Sequence, residues 1–317
     1  MKIVIIEPLG ITPEKVEEAA KVVKQKGHEV IYYETRTEDA IELIERGKDA
    51  DIIIVANLPL RKNVIEHCKN LKLLSVAFTG VDHIDIDYCK QKGIMVCNAA
   101  GYSTNAVAEL AFGLAISALR NIPACDNVTR IEGTKAGLVG TELYNKTFGV
   151  VGTGAIGTKV ALIAQAFGCN VIAYSRTERE NVKQAGIKYV SLEELLKQSD
   201  IVSLHVPFNN ETKELIGKEQ IALMKKTAIL LNTARGGVVD NKALADALNE
   251  QKIAGAGIDV FEMEPPIPKT HPLVNAKNTV LTPHVAFASE EALYARALIV
   301  FDNIINWEAG TAKNVIV

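Results

Sequence analysis

Residues 147–176 constrain the fold of this chain more than any other stretch. An apolar run, Phe148-Gly149-Val150-Val151, meets three glycines spaced G-x-G-x-x-G at Gly152, Gly154 and Gly157. A helical pattern follows at once, with Ile156, Val160, Ile163 and Phe167 recurring on one helix face. A second β-rich run starts after Gly168 and ends in Ser175-Arg176-Thr177. A strand–turn–helix–strand unit of about 30 residues lifts a glycine pattern above a bare motif match. The glycines let the backbone turn sharply and approach a pyrophosphate, whose charge is met by amides at the helix N-terminus, here those of Ala155 and Ile156. The alternative is a tight turn that needs glycine only for packing. The surrounding unit favours a dinucleotide site.

The rest of the chain repeats the same rhythm. Runs at 3–6, 30–33, 52–55, 73–78 and 94–97 read as strands, separated by helical patterns such as 37–46 and one opened by Thr12-Pro13-Glu14. Continuous apolar strands between helices predict a parallel sheet covered on both faces. A helix is expected over 103–119, an extended connection over 121–146, then strands at 200–206, 228–231, 254–260 and 278–281, and helices at 240–249 and 290–307. The sequence therefore predicts two doubly wound α/β domains. If the last helix folds back on the first domain, the chain crosses twice between domains, a geometry suited to a hinge above a cleft.

Composition narrows the class. A net charge of −3 gives no reason to expect nucleic acid or an anionic membrane as partner. Five cysteines without a C-x-x-C pair point away from a disulfide framework and toward a reducing, cytoplasmic setting. No run approaches the roughly 20 apolar residues of a membrane span. The six histidines form no metal-ligating spacing, so no metal is expected.

Four polar residues fall at predicted strand ends of the second domain, where ligands of such sheets bind: Arg235, Asp259, Glu264 and His284. Hydride removal from carbon is matched by proton removal from oxygen, which suits a histidine titrating near neutrality. A carboxylate beside it favours imidazolium. An arginine fork suits a carboxylate or a polarised carbonyl. Each also has a plain reading: His284 bonding a loop carbonyl, Arg235 closing a turn, Glu264 solvated beside Pro265 and Pro266, Asp259 bracing a turn.

The whole chain resembles the D-isomer-specific 2-hydroxyacid dehydrogenases. The resemblance rests on Thr79-Gly80-Val81-Asp82, on Tyr102-Ser103-Thr104-Asn105-Ala106-Val107-Ala108-Glu109 and on the glycine fingerprint. Asn232-Thr233-Ala234-Arg235-Gly236, Gly257-Ile258-Asp259-Val260-Phe261-Glu262-Met263-Glu264-Pro265 and Thr282-Pro283-His284 complete it. It implies a Rossmann cofactor domain, residues 100–288, inserted into a flavodoxin-like substrate domain made of 1–99 and 289–317. His284 would then be the acid–base group, Glu264 its carboxylate partner, and Arg235 the group that holds the substrate. Leu58 and the amides of Gly80 and Val81 would contact the substrate. Thr104, Val206, Pro207, Thr212, Thr233, Ala234 and Asp259 would line the coenzyme together with the fingerprint residues. The expected partner is a small 2-oxo or 2-hydroxy acid, and the expected assembly a homodimer.

Two departures refine this. NAD users of the family usually carry Asp at the end of the second cofactor-domain strand. Here Ser175-Arg176-Thr177 stands there, which cannot repel a 2′-phosphate and favours NADP over NAD, with Glu178 and Glu180 as nearby acids able to neutralise Arg176. Ala286-Phe287 after the histidine resembles the hydroxypyruvate reductase and D-lactate dehydrogenase branches. The expected activity is reduction of hydroxypyruvate or glyoxylate. Arg61 and Lys62, beside the first substrate loop, keep a 3-phosphoglycerate dehydrogenase in view. A dinucleotide-sensing regulator on the same fold is the non-enzymatic rival.

Overall fold

In the computed structural model, which describes residues 1–317, the N-terminal apolar runs become five parallel strands. They are β1 Lys2–Ile5, β2 Glu29–Tyr32, β3 Ile52–Val55, β4 Leu73–Val76 and β5 Met95–Cys97, alternating with helices α1 Pro13–Lys24, α2 Ala40–Gly47, α3 Lys62–Ile65 and α4 Ile86–Lys92. The order β2-β1-β3-β4-β5 is flavodoxin-like. Every side chain of β3 and β4 is buried, as a strand covered on both faces requires. Helix α2 starts at Ala40 rather than near Thr37, because Asp39 is the residue whose side chain accepts the Glu42 amide. Such a cap contributes about 1 kcal/mol.

The C-terminal helix, Glu290–Glu308, belongs to this first unit, which comprises Met1–Ser103 and Ala288–Val317. It packs on α1 and β4, and the Ser75 hydroxyl on β4 donates to the Val300 carbonyl at 3.0 Å. The chain leaves the first unit after Ser103, four residues beyond the boundary read from the sequence (103 − 99). Residues 98–103 stay attached to it through Asn98, which donates to the Thr79 carbonyl at 2.7 Å, and through Tyr102, whose ring lies 6.1 Å from Phe78.

The second unit is Thr104–Phe287. Its elements are α5 Thr104–Leu119, α6 Ile122–Arg130, β6 Thr147–Val151, α7 Ala155–Ala166, β7 Asn170–Tyr174, α8 Glu180–Gln184 and β8 Lys188–Tyr189. They continue with α9 Leu192–Gln198, β9 Ile201–Leu204, α10 Lys218–Leu223, β10 Ile229–Asn232, α11 Asn241–Asn249, β11 Gly255–Ile258 and β12 Thr279–Leu281. All strands run parallel in the order β12-β11-β10-β9-β6-β7-β8, the doubly wound Rossmann arrangement. Alternate residues of β10 serve different apolar clusters, Leu230 with Leu204 and Leu244, Leu231 with Phe112 and Phe148.

The expectation of an extended connection over 121–146 is corrected by α6. Asn121 takes a left-handed conformation and Pro123 sits in the first turn, so a new helix starts there. None of its residues is buried, so its apolar face does not pack into this unit's core.

Candidate active site

Because every strand of the second unit is parallel, the loops after their C-terminal ends share one edge of the sheet. The strand order reverses between β6 and β9, the point where such sheets bind ligands. The fingerprint loop leaves β6 there. Gly152 has φ +93°, and a Cβ on it would come within 2.6 Å of the His205 carbonyl. A Cβ on Gly157 would lie 1.9 Å from the Gly152 carbonyl, so that glycine lets α7 close on the loop. Gly154 differs: a Cβ there would meet nothing within 4 Å. It has no packing reason to be glycine, yet it is the N-cap of α7 and offers no side-chain cap to the first amides, those of Ala155 and Ile156. Thr233, after β10, is buried with a hydroxyl that has no protein partner. An open glycine, uncapped helix amides and an orphaned buried hydroxyl along one edge fit a dinucleotide.

The polar strand-end residues converge through their backbones. Asp259, just after β11, is fully buried. Its carboxylate accepts from the Thr282 hydroxyl at 2.6 Å, the Val285 amide at 2.8 Å and the Ala286 amide at 3.0 Å, while its own carbonyl accepts from the His284 amide at 2.8 Å. These bonds hold the loop after β12 in a form where His284 has φ +57°. That left-handed conformation costs a non-glycine residue about 1–2 kcal/mol. The His284 ring is thereby aimed at Glu264, with Nδ1 2.8 Å from Oε2, and Phe287 packs edge-on at 5.4 Å.

Arg235 is placed in the same way. Asn232, at the end of β10, accepts from the Ala234 amide at 3.0 Å and donates to the Arg235 carbonyl at 2.9 Å, while Arg235 Nη1 donates to the Ala234 carbonyl at 2.9 Å. A Cβ on Gly236 would sit 1.8 Å from the Phe261 carbonyl carbon, so this glycine lets the Arg235 turn press on the chain leading to Glu264. That chain is clamped in turn. Glu262 accepts from buried His271 at 3.0 Å and from Asn241, and Phe261 meets the His271 ring edge-on at 5.1 Å. Burial raises the Glu262 pKa, but the His271 and Asn241 bonds outweigh it and the net shift is downward.

At the other end of the site, Ser175, Arg176 and Thr177 follow β7. Arg176 Nη1 contacts Glu211 Oε2 at 2.6 Å. Glu178 pairs instead with Lys183 at 2.6 Å, and Glu180 accepts from Gln184 at 3.4 Å, so neither acid expected from the sequence takes Arg176. Val206 and Pro207 follow β9, and the Thr212 hydroxyl donates to the Pro207 carbonyl at 2.6 Å. His205 bonds the Ser203 hydroxyl through Nε2 at 2.8 Å, and desolvation pushes its pKa down to about 3. Thr104 is the first residue of α5.

Leu58, Gly80 and Val81 lie in the first unit, after β3 and β4. The buried Glu7 carboxylate accepts the Ala56 and Leu58 amides, each at 2.8 Å, and pairs with Arg36 at 2.6 Å. Burial is the largest influence on Glu7 and leaves its pKa raised. Sequence reasoning missed Asn232, Glu7, the Glu262–His271 clamp and Glu211. Only Asn232 had a local signal, an Asn able to bond the backbone two residues on. No three His, Cys, Asp or Glu side chains are placed to hold a metal, and no single helix is long and apolar enough to cross a membrane.

Comparison with known proteins is consistent with this geometry. Residues 112–286 match the family described as D-isomer specific 2-hydroxyacid dehydrogenase, NAD binding domain. The chain is 42% identical over 275 residues to a glyoxylate reductase of Korarchaeum cryptofilum, covering 84% of this chain and 82% of that one. It is 42% identical over 308 residues to a D-3-phosphoglycerate dehydrogenase of Methanocaldococcus jannaschii, covering 96% of this chain but only 57% of that relative's length. Among solved structures, an acyclic imino acid reductase in complex with NADPH and D-Arg superposes with TM-score 0.89 at 34% identity over 100% of both chains. A D-lactate dehydrogenase of Aquifex aeolicus complexed with NAD and lactic acid gives 0.84 at 31% identity, over 98% of this chain and 96% of that one. With its second unit built as a dinucleotide-binding Rossmann sheet, the chain belongs to the D-isomer-specific 2-hydroxyacid dehydrogenase family.

Proposed function

We propose that the chain reduces small 2-oxo acids to D-2-hydroxy acids, with hydroxypyruvate or glyoxylate as substrate and a nicotinamide dinucleotide as coenzyme. The observation that carries this reading is the 2.8 Å contact between His284 Nδ1 and Glu264, in a loop that Asp259 locks. The bound nicotinamide supplies the hydride. His284 donates Nδ1–H to Glu264, which fixes the ring's orientation, and gives its Nε2 proton to the carbonyl oxygen as that becomes a hydroxyl. Arg235, permanently charged, pairs with the substrate carboxylate or its polarised carbonyl. Gly80, Val81 and Leu58 are proposed substrate contacts in the first unit. Asp259 acts through the loop it holds.

The similarity to a glyoxylate reductase supports the substrate class. The similarity to a phosphoglycerate dehydrogenase favours a second reading, dehydrogenation of 3-phosphoglycerate. Against it, Arg61 is used on the Asp82 carbonyl at 3.2 Å, and the Lys62 ammonium lies over the Tyr88 ring at 5.6 Å. Steady-state turnover with glyoxylate, hydroxypyruvate, pyruvate and 3-phosphoglycerate, with NADH and NADPH, tests the proposal. Turnover confined to 3-phosphoglycerate would transfer the assignment to the second reading.

The coenzyme preference we propose is NADPH, supported by Ser175-Arg176-Thr177 in place of an acidic strand end. We also propose a homodimer formed through the second unit. Supporting it, α6 has no buried residue, and Ile131 and Val139 beyond it are 77% and 85% exposed. A cytoplasmic location is supported by the five unpaired cysteines.

A further inference from the structure

The ion pair between Arg176 and Glu211 joins loops on either side of the fingerprint. In the order β9-β6-β7, the Gly152–Gly157 turn leaves the middle strand, Arg176 follows β7, and Glu211 follows β9. The contact therefore spans the turn where the coenzyme is proposed to bind. Both backbones are fixed. The Tyr189 hydroxyl accepts from the Arg179 amide at 3.0 Å and bonds the Thr153 hydroxyl at 2.8 Å, tying the Arg176 loop to the fingerprint. The Asn209 side chain accepts the Glu211 and Thr212 amides at 2.9 and 3.1 Å. What remains free to swing is the pair of side chains, 81% and 71% exposed.

We propose that Glu211 sets coenzyme preference by holding Arg176 and competing for it with the 2′-phosphate of NADP. The inference rests on the proposed NADPH reading and adds a residue that opposes it. An exposed pair of this kind is weak, so a doubly charged phosphate with several acceptor oxygens can displace it. Glu211 then works twice against that phosphate, as a rival for the guanidinium and as a like charge beside it. Toward the neutral 2′-hydroxyl of NAD it does neither. With Glu178 and Glu180 bonded elsewhere, Glu211 is the acid that decides how available Arg176 is.

Isothermal titration calorimetry of NADP+, NAD+ and 2′,5′-ADP against the parent, Glu211→Gln, Arg176→Ala and the double variant tests this without turnover. Glu211→Gln is expected to tighten NADP+ and 2′,5′-ADP by about 2- to 10-fold at low salt, fading as salt screens the charges, with NAD+ nearly unchanged. In the Arg176→Ala background the gain should shrink to the smaller part that comes from like-charge repulsion alone. The role of Glu211 is overturned if Glu211→Gln leaves NADP+ affinity unchanged, shifts NAD+ equally, or acts the same without Arg176. If Arg176→Ala alone leaves the NADP+ to NAD+ ratio unchanged, the NADPH reading itself fails, and the role of Glu211 with it.

Discussion

Asp259→Asn removes one charge and almost no volume, and the structure gives it a size. The parent carboxylate accepts three hydrogen bonds in a fully buried position, two of them from the amides of Val285 and Ala286. Either rotamer of an asparagine sets its NH2 group against one of those amides. A buried donor left without an acceptor costs about 1–3 kcal/mol. The two bonds that survive lose their charge assistance, about 1 kcal/mol each. The total, about 3–5 kcal/mol, exceeds the roughly 1–2 kcal/mol that the left-handed His284 already costs the loop. The loop should therefore relax and carry His284 away from Glu264. At about 2–4 °C per kcal/mol for a unit of this size, Tm should fall by on the order of 10 °C. Thermal unfolding by circular dichroism, with hydroxypyruvate turnover below the transition, reads both effects. We expect kcat to fall while NADP+ affinity changes little. A variant with parental Tm and kcat would refute the reasoning that Asp259 holds this loop.

Three further outcomes follow from the same geometry. Gly154→Ala should cost about 1 kcal/mol or less in stability, the difference between glycine and alanine at an N-cap, yet weaken NADP+ in calorimetry. Gly157→Ala should destabilise by roughly 1–3 kcal/mol or more through overpacking, and equal stability losses in the two would contradict the distinction. Arg235→Lys keeps the charge but loses the planar fork, so KM for the oxo acid should rise and kcat fall together; unchanged kinetics would make Arg235 a turn-closing residue only. His205 is protonated in the folded state only near pH 3, against 6.5 for the ordinary residue. Between those values the unfolded chain binds the extra proton, so stability falls as pH drops, by at most about 1.4 kcal/mol per unit from this group. Urea titrations across that window should show the slope reduced in His205→Gln, and an identical slope would place the titration elsewhere.

The sheets were legible because their strands are continuous apolar runs and their helices carry capping residues and apolar stripes. Residues 147–176 announced the Rossmann unit because glycine spacing, strand and helix occur together there. Helix α6 was not legible because it is short, carries Pro123 in its first turn and leads into a glycine-containing stretch, so its few apolar residues, none of them buried, read as part of a loop. The pairing of His284 with Glu264 was expected from resemblance. Its physical cause, Asp259 reaching across to residues 282–286, joins positions at least 23 apart and has no local signature. Arg176 illustrates the limit most sharply. Acids two and four residues away in sequence were the natural partners, but strand order brought Glu211, 35 residues away, to the guanidinium instead.

In the proposed reaction His284 gives the proton that turns the 2-oxo acid's carbonyl oxygen into a hydroxyl, and takes it back in the reverse direction. Replacing His284 by Gln keeps the ring's approximate size and polarity but removes its ability to titrate. Pre-steady-state reduction of hydroxypyruvate by this variant, beside calorimetric coenzyme binding, is the direct test. The expected rate is lower by about 10²–10⁴-fold, with coenzyme affinity within about 2-fold of the parent. A variant that reduces hydroxypyruvate at the parental rate across pH would contradict this role of His284.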